Sequence, residues 1–145
     1  MTATVDTNVL VYASNKDIPE YQRANELLDK LTSGPALMTL FWPVLIGYLR
    51  IVTSPRVLPR PLSTQKASSN VERLLTRPHI RAVGEDDGFW TVFRQVADPT
   101  AARGNLVTDA HIAALMHQHG VREIWTRDRD FRKFDGIVVR DPFAS

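Results

Sequence analysis

The sequence predicts an α/β fold: a central, mainly parallel sheet of four or five strands with helices on both faces. Three observations carry this. Short apolar runs of strand length alternate with segments whose apolar residues recur at helical spacing, the pattern of successive βα units. Gly and Pro fall at the boundaries between those segments. The 145 residues are 43% hydrophobic, enough for one full core, so the whole chain, 1–145, is expected to be a single domain.

The elements follow in order. Val5 to Tyr12 begins as an apolar strand that Asp6 interrupts. Tyr21, Ala24, Leu27, Leu28 and Leu31 form a helical stripe, with Pro19 suited to its first turn. Gly34-Pro35 ends it, and Ala36 to Leu40 reads as a short buried strand. Trp42, Leu45, Ile46, Leu49 and Val52 make the next helical stripe, with Pro43 near its start and Ser54-Pro55 at its end. Pro55, Pro59 and Pro61 stiffen the connection that follows. Ser63 can cap a helix carrying Ala67, Val71, Leu74 and Leu75. Ile80 to Val83 is a strand, and Glu85, Asp86 and Asp87 precede a helix with Phe89, Trp90, Phe93, Val96 and Ala97 on one side. After a loop over 98–106, Thr108 can cap a helix with Ile112, Leu115, Met116 and His119, closed by Gly120. Glu123 to Thr126 and Ile137 to Val139 are the last strands. Trp42, Trp90 and Trp125 lie on apolar stripes and are expected in the core.

Composition removes several classes. A 23% charged fraction is ordinary for a globular chain, and there is no internal repeat or low-complexity run. No 18-residue apolar stretch is present, so no membrane span is expected. No secretory signal is visible, and a cytoplasmic location is the expectation. Zero cysteines exclude disulfides, thiolate nucleophiles and Cys-ligated zinc. The net charge is only +2, but the signs are segregated. Leu31 to Val71 holds no acid and four cations, Arg50, Arg56, Arg60 and Lys66. That stretch is either a solvated basic face or a phosphate-binding one.

In parallel sheets, ligands collect beyond the carboxyl ends of the strands. Asp6, Asp109 and Asp128 fall where one architecture brings them to a single edge. Clustered carboxylates resist ionising unless a cation neutralises them. An all-oxygen, acid-rich set suits Mg²⁺, with Mn²⁺ as a possible substitute, and such ions serve phosphoryl transfer. The histidines make no zinc motif. His119 reads as a packed helix-end residue, His117 as exposed, and His111 as structural although near Asp109.

Four segments stand in order along the chain: Val5-Asp6-Thr7-Asn8-Val9-Leu10; Leu49-Arg50-Ile51-Val52-Thr53-Ser54-Pro55-Arg56; Gly104-Asn105-Leu106-Val107-Thr108-Asp109-Ala110-His111; and Thr126-Arg127-Asp128-Arg129-Asp130-Phe131-Arg132-Lys133-Phe134. Together they resemble the PIN-domain ribonuclease toxins of bacterial type II toxin–antitoxin systems, the VapC group, over residues 4 to 143. The resemblance implies a three-layer α/β/α domain and a Mg²⁺-dependent endoribonuclease that cuts a structured RNA, such as tRNA or rRNA, and so blocks translation. It also implies a cognate antitoxin, a homodimer and a toxin–antitoxin hetero-oligomer. Asp6, Asp109 and Asp128 match the acidic site, with Asp6 and Asp109 as metal ligands, and Asn8 matches the polar residue beside the first. Arg50, Arg56 and Asn8 are the expected RNA contacts.

One position departs from the family pattern. Many members carry a glutamate just before the aromatic-Leu-Arg run of the second helical stripe, and this chain has Gly47 before Tyr48-Leu49-Arg50. Either a ligand position is vacant or Gly47 serves close packing, with Glu85 or Asp130 supplying the missing carboxylate. The alternative function is a catalytically weakened PIN fold that binds RNA or antitoxin.

Overall fold

The computed structural model describes residues 2–144. The chain begins with β1 (Ala3–Val5), α1 (Thr7–Tyr12), α2 (Tyr21–Thr32), β2 (Met38–Phe41) and α3 (Trp42–Val52). It continues with α4 (Thr64–Leu75), β3 (Ile80–Val83), α5 (Phe89–Ala97), α6 (Asn105–His119), β4 (Glu123–Trp125) and β5 (Val138–Arg140). Two short 3₁₀ turns, Asp98–Thr100 and Arg129–Lys133, complete the described residues.

The strands pair in the order β3-β2-β1-β4-β5, with every pairing parallel. Strand order explains the layers. From β1 the chain moves outward through β2 to β3, then crosses back to β4 and β5 on the other side. Right-handed crossovers place the helices of these two excursions on opposite faces of the sheet. Accordingly α1 packs with α2 and α3, α3 with α4, and α5 with α6. Fully buried Val5, Leu40, Phe41, Leu45, Leu115, Ile124 and Phe131 fill the layers between. Burying each such side chain contributes about 1.5–3 kcal/mol. The reversal of direction lies between β1 and β4, which opens a crevice at their carboxyl ends.

Several sequence expectations hold. Ser63 accepts a hydrogen bond from Lys66 N at 3.1 Å and caps α4. β3 has the expected bounds. Others are corrected. The first strand does not run on to Tyr12. It ends at Val5 because the Asp6 carboxylate accepts from Thr7 N and starts a helix that buries Val9, Leu10 and Val11. Thr108 is no cap: α6 already starts at Asn105, after Gly104 at φ 59° and ψ −132°, a backbone shape that favours glycine. Trp42 and Trp90 are not core residues, being 42% and 66% exposed. On α3 the core face is Val44, Leu45, Tyr48 and Val52, which leaves Ile46 exposed with Trp42.

Candidate active site

β1 leads directly into Asp6 and β4 into Thr126, so the two segments leave the sheet side by side. Asp6 N donates to Trp125 O at 3.0 Å, which fixes the aspartate against β4. Its Oδ1 accepts from Thr7 N at 2.8 Å. Its Oδ2 accepts from the Thr126 hydroxyl at 2.8 Å and from Asn8 Nδ2 at 3.3 Å. Thr126 is 1% exposed. Its oxygen also accepts from Asp128 N at 2.9 Å and from Asn8 Nδ2 at 3.2 Å. Asp128 Oδ1 in turn accepts from Asp130 N at 2.9 Å and caps the 3₁₀ turn. The loop after β4 is therefore wound around one buried hydroxyl.

Asp109 reaches this edge from the second turn of α6. Asp109, Asp128 and Asp130 each offer a carboxylate oxygen, and the three oxygens lie within 4.8 Å of one another. Asp6 stands beside this trio, close enough that its charge acts on Asp109. The carboxyl of Asp109 is pushed up to about 8. Burial is the first cause, followed by the hydrogen bond to Asp128 and the charges of Asp128, Asp6 and Asp130. Asp6 is also raised, mainly by burial, with the Thr126 and Thr7 hydrogen bonds opposing the shift. Most donors in this cluster are neutral: a hydroxyl, an amide and main-chain N–H groups. Among the described residues, the cation paired with this cluster is at the rim, where Lys133 Nζ lies 3.3 Å from Asp130 Oδ1, both side chains being more than half exposed. An exposed pair of this kind neutralises little. An all-oxygen, acid-rich donor set of this sort fits Mg²⁺ or Mn²⁺ and lacks the nitrogen and sulfur donors zinc favours.

Of the two acids weighed as substitutes for a carboxylate at position 47, Asp130 is in the cluster. Glu85 instead pairs with His111 Nε2, which holds it below the usual glutamate range. His111 packs edge-on to Phe89 at 5.6 Å, the structural role expected of it. His119 Nε2 donates to Gly84 O at 2.7 Å, and exposed His117 reaches Asp135 O at 2.8 Å. A Cβ on Gly47 would lie 3.3 Å from Thr7 Oγ1, so this glycine marks the close approach of α3 to α1 beside Asp6. Arg50 is exposed in the last turn of α3, and Arg56 is exposed in the loop beyond it. Asn8 has both ends of its amide engaged: Nδ2 with Asp6 and Thr126, and Oδ1 accepting from Arg127 N at 3.4 Å. Thr126 was missed as a functional residue. Its only sequence signal is a hydroxyl residue ending an apolar strand two positions before an aspartate.

The PIN domain family profile matches residues 3–137. Ribonuclease VapC48 of Mycobacterium tuberculosis is 51% identical over 144 residues, covering 99% of each chain. Ribonuclease VapC43 of the same organism is 36% identical over 138 residues, covering 95% of this chain and 93% of its own. Among solved structures, M. tuberculosis VapC20, a sarcin-ricin loop cleaving toxin, superposes with a TM-score of 0.68 at 18% identity, covering 94% of this chain and 96% of the other. VapBC2 from Rickettsia felis, bound to a DNA fragment from its promoter, superposes at 0.67 and 18% identity, covering 97% and 98%. At such identities the solved structures speak to the fold alone.

Proposed function

This chain belongs to the VapC family of PIN-domain ribonucleases, and from that premise we propose that it is a Mg²⁺-dependent endoribonuclease toxin that cleaves a structured RNA, tRNA or rRNA, and so inhibits translation. The observation that carries the reading is the convergence of Asp109, Asp128 and Asp130, with Asp6 beside them, at the carboxyl edge of β1 and β4. Asp6 and Asp109 hold the cation, and Asp128 assists directly or through water, with Asp130 adding charge from the same turn. When bound there, Mg²⁺ supplies the positive charge that activates water and stabilises the pentavalent phosphate in the transition state. The protein's share is to set the carboxylate oxygens and to keep them anionic once a cation is present. Arg50 and Arg56, exposed on and after α3, meet the RNA backbone phosphates.

A cognate antitoxin neutralises the toxin, and the working unit is a homodimer within a toxin–antitoxin hetero-oligomer. Exposed Trp42 and Ile46 on α3 supply apolar surface for such contacts. No described helix is long and apolar enough to cross a membrane, in keeping with a cytoplasmic site of action. Gly47 favours a second reading, a PIN fold with weakened cleavage that binds RNA or antitoxin. Asp130 weighs against it, because the trio gains a carboxylate without any side chain at position 47. Incubating the purified protein with structured RNA in Mg²⁺ and in EDTA separates the readings. Cleavage at defined sites in Mg²⁺ only supports the nuclease. Cleavage in excess EDTA removes the metal mechanism, and RNA retention without cleavage establishes the second reading.

A further inference from the structure

One buried oxygen joins the strand ends that carry the acids. We propose that Thr126 is a positioning residue: its hydroxyl orients Asp6 so that this carboxylate meets a cation through Oδ1 alone, and the same hydroxyl sets the loop that delivers Asp128 and Asp130. The inference rests on the metal-dependent reading above and adds to it which atom of Asp6 faces the ion and what holds it there.

Counting donors and acceptors leads to this assignment. A threonine hydroxyl has one proton and two lone pairs. The proton goes to Asp6 Oδ2 at 2.8 Å. The lone pairs accept Asp128 N at 2.9 Å and Asn8 Nδ2 at 3.2 Å. Nothing is left over, so the hydroxyl rotor has a single orientation. Each oxygen of a carboxylate offers two lone pairs. Oδ2 of Asp6 receives two donors, from Thr126 and Asn8, and is saturated. Oδ1 receives one, from Thr7 N, and keeps one lone pair for a cation. Asn8 acts as the second latch on Oδ2. With its other end accepting from Arg127 N, it ties the loop after β4 to the same cluster. Thr126 cannot swing away, since it is buried and its own N–H donates to Arg140 O at 2.9 Å.

The test compares Thr126→Val, Thr126→Ser and Asn8→Ala by Mn²⁺ titration, reading free Mn²⁺ by electron paramagnetic resonance, alongside melting temperature. Serine keeps the hydroxyl, so its Mn²⁺ affinity stays within about threefold of the unmodified protein, whereas valine keeps the shape and binds ~10- to 100-fold more weakly. Asn8→Ala unlatches one donor and gives a smaller loss in the same direction; it decides the matter if the valine variant does not fold. A folded Thr126→Val protein that binds Mn²⁺ as tightly as the unmodified protein overturns the inference. So does a lowered melting temperature in every variant with unchanged affinity, the signature of a purely structural threonine. Failure of the unmodified protein to bind Mn²⁺ overturns the metal-dependent reading itself, and it is recognisable because no variant is needed to see it.

Discussion

Two acidic clusters lie beyond the carboxyl ends of strands in this protein, and they have opposite electrostatic fates. Beyond β3, Glu85 pairs with His111, which lowers its pKa. Gln118 clasps the main chain of Asp86 and Asp87. That loop is fastened to α6 and its first acid is neutralised from within. Beyond β1 and β4, the carboxylates of Asp6 and Asp128 accept from neutral donors, Asp109 stands among them, and among the described residues a rim lysine touches Asp130. There burial first, and then the hydrogen bond to Asp128 and the charges of the neighbouring acids, push Asp109 up to about 8. Acids at strand ends are therefore not diagnostic by themselves. The difference lies in whether the protein supplies its own counter-charge or leaves that to a ligand.

Exchanging the acids of the two clusters for amides sharpens this contrast most. Asp109→Asn is expected to lower RNA cleavage by about 100-fold or more, because it removes charge that a divalent ion needs. It should leave the melting temperature unchanged or raised, since a crowded carboxylate is gone. Glu85→Gln should leave cleavage within about threefold and lower the melting temperature slightly, as expected for one exposed ion pair. Initial cleavage rates and thermal melts of both variants check the pair. Equal loss of activity in both would erase the distinction.

A pH series probes the same contrast through stability. In the unfolded chain Asp109 ionises near its ordinary 3.8, and in the folded chain near 8. Between those values the folded state holds the extra proton, so stability falls as pH rises through that window. Without added metal the melting temperature should decline from about pH 5 to pH 8. Mg²⁺ should offset the decline, and Asp109→Asn should flatten it. Glu85 has the opposite sign: its lowered value adds stability above the ordinary glutamate range, lost as pH falls through it.

Position 47 gives the smallest expected effect. Alanine there gains helix propensity of up to about 1 kcal/mol, against a Cβ 3.3 Å from Thr7 Oγ1 that requires a small side-chain adjustment. The melting temperature of Gly47→Ala should change by only a few degrees, roughly the effect of 1 kcal/mol or less. Gly47→Glu would bring a further carboxylate to the α1–α3 contact beside Asp6 and tighten Mn²⁺ binding severalfold, by added charge. A loss of stability in both variants would mean that packing closes this position.

The alternation of strands and helices was legible because the apolar periods are clear, as in α4 with its Ser63 cap and in β3. The start of α1 was not legible. Val9, Leu10 and Val11 form an apolar run that is consistent with either strand or buried helix, and only the Asp6 cap decides between them. Gly104 hid the start of α6, since a loop-like glycine can also open a helix directly. Trp90 has the hydrophobicity of a core residue, but it stacks on Phe93 and lies under Arg94 at the surface, where α5 has no further layer above it. At the site, Asp6, Asp109 and Asp128 were readable as types and positions. The role of Asp130 depended on the 3₁₀ turn that bends it back toward Asp109. Thr126 was illegible because its importance lies in three hydrogen bonds, two of them to residues about 120 positions away in sequence.

The most direct test of the uncompensated edge as a cation site is calorimetric titration with Mn²⁺ at pH 7, repeated in two buffers of different ionisation enthalpy. The account predicts saturable binding by the unmodified protein with release of about one proton, because the ion must displace the proton held by Asp109. It predicts loss of both the binding and the proton release in Asp109→Asn, and retention of both in Glu85→Gln. Absence of Mn²⁺ binding in the unmodified protein, or undiminished binding in Asp109→Asn, would contradict it.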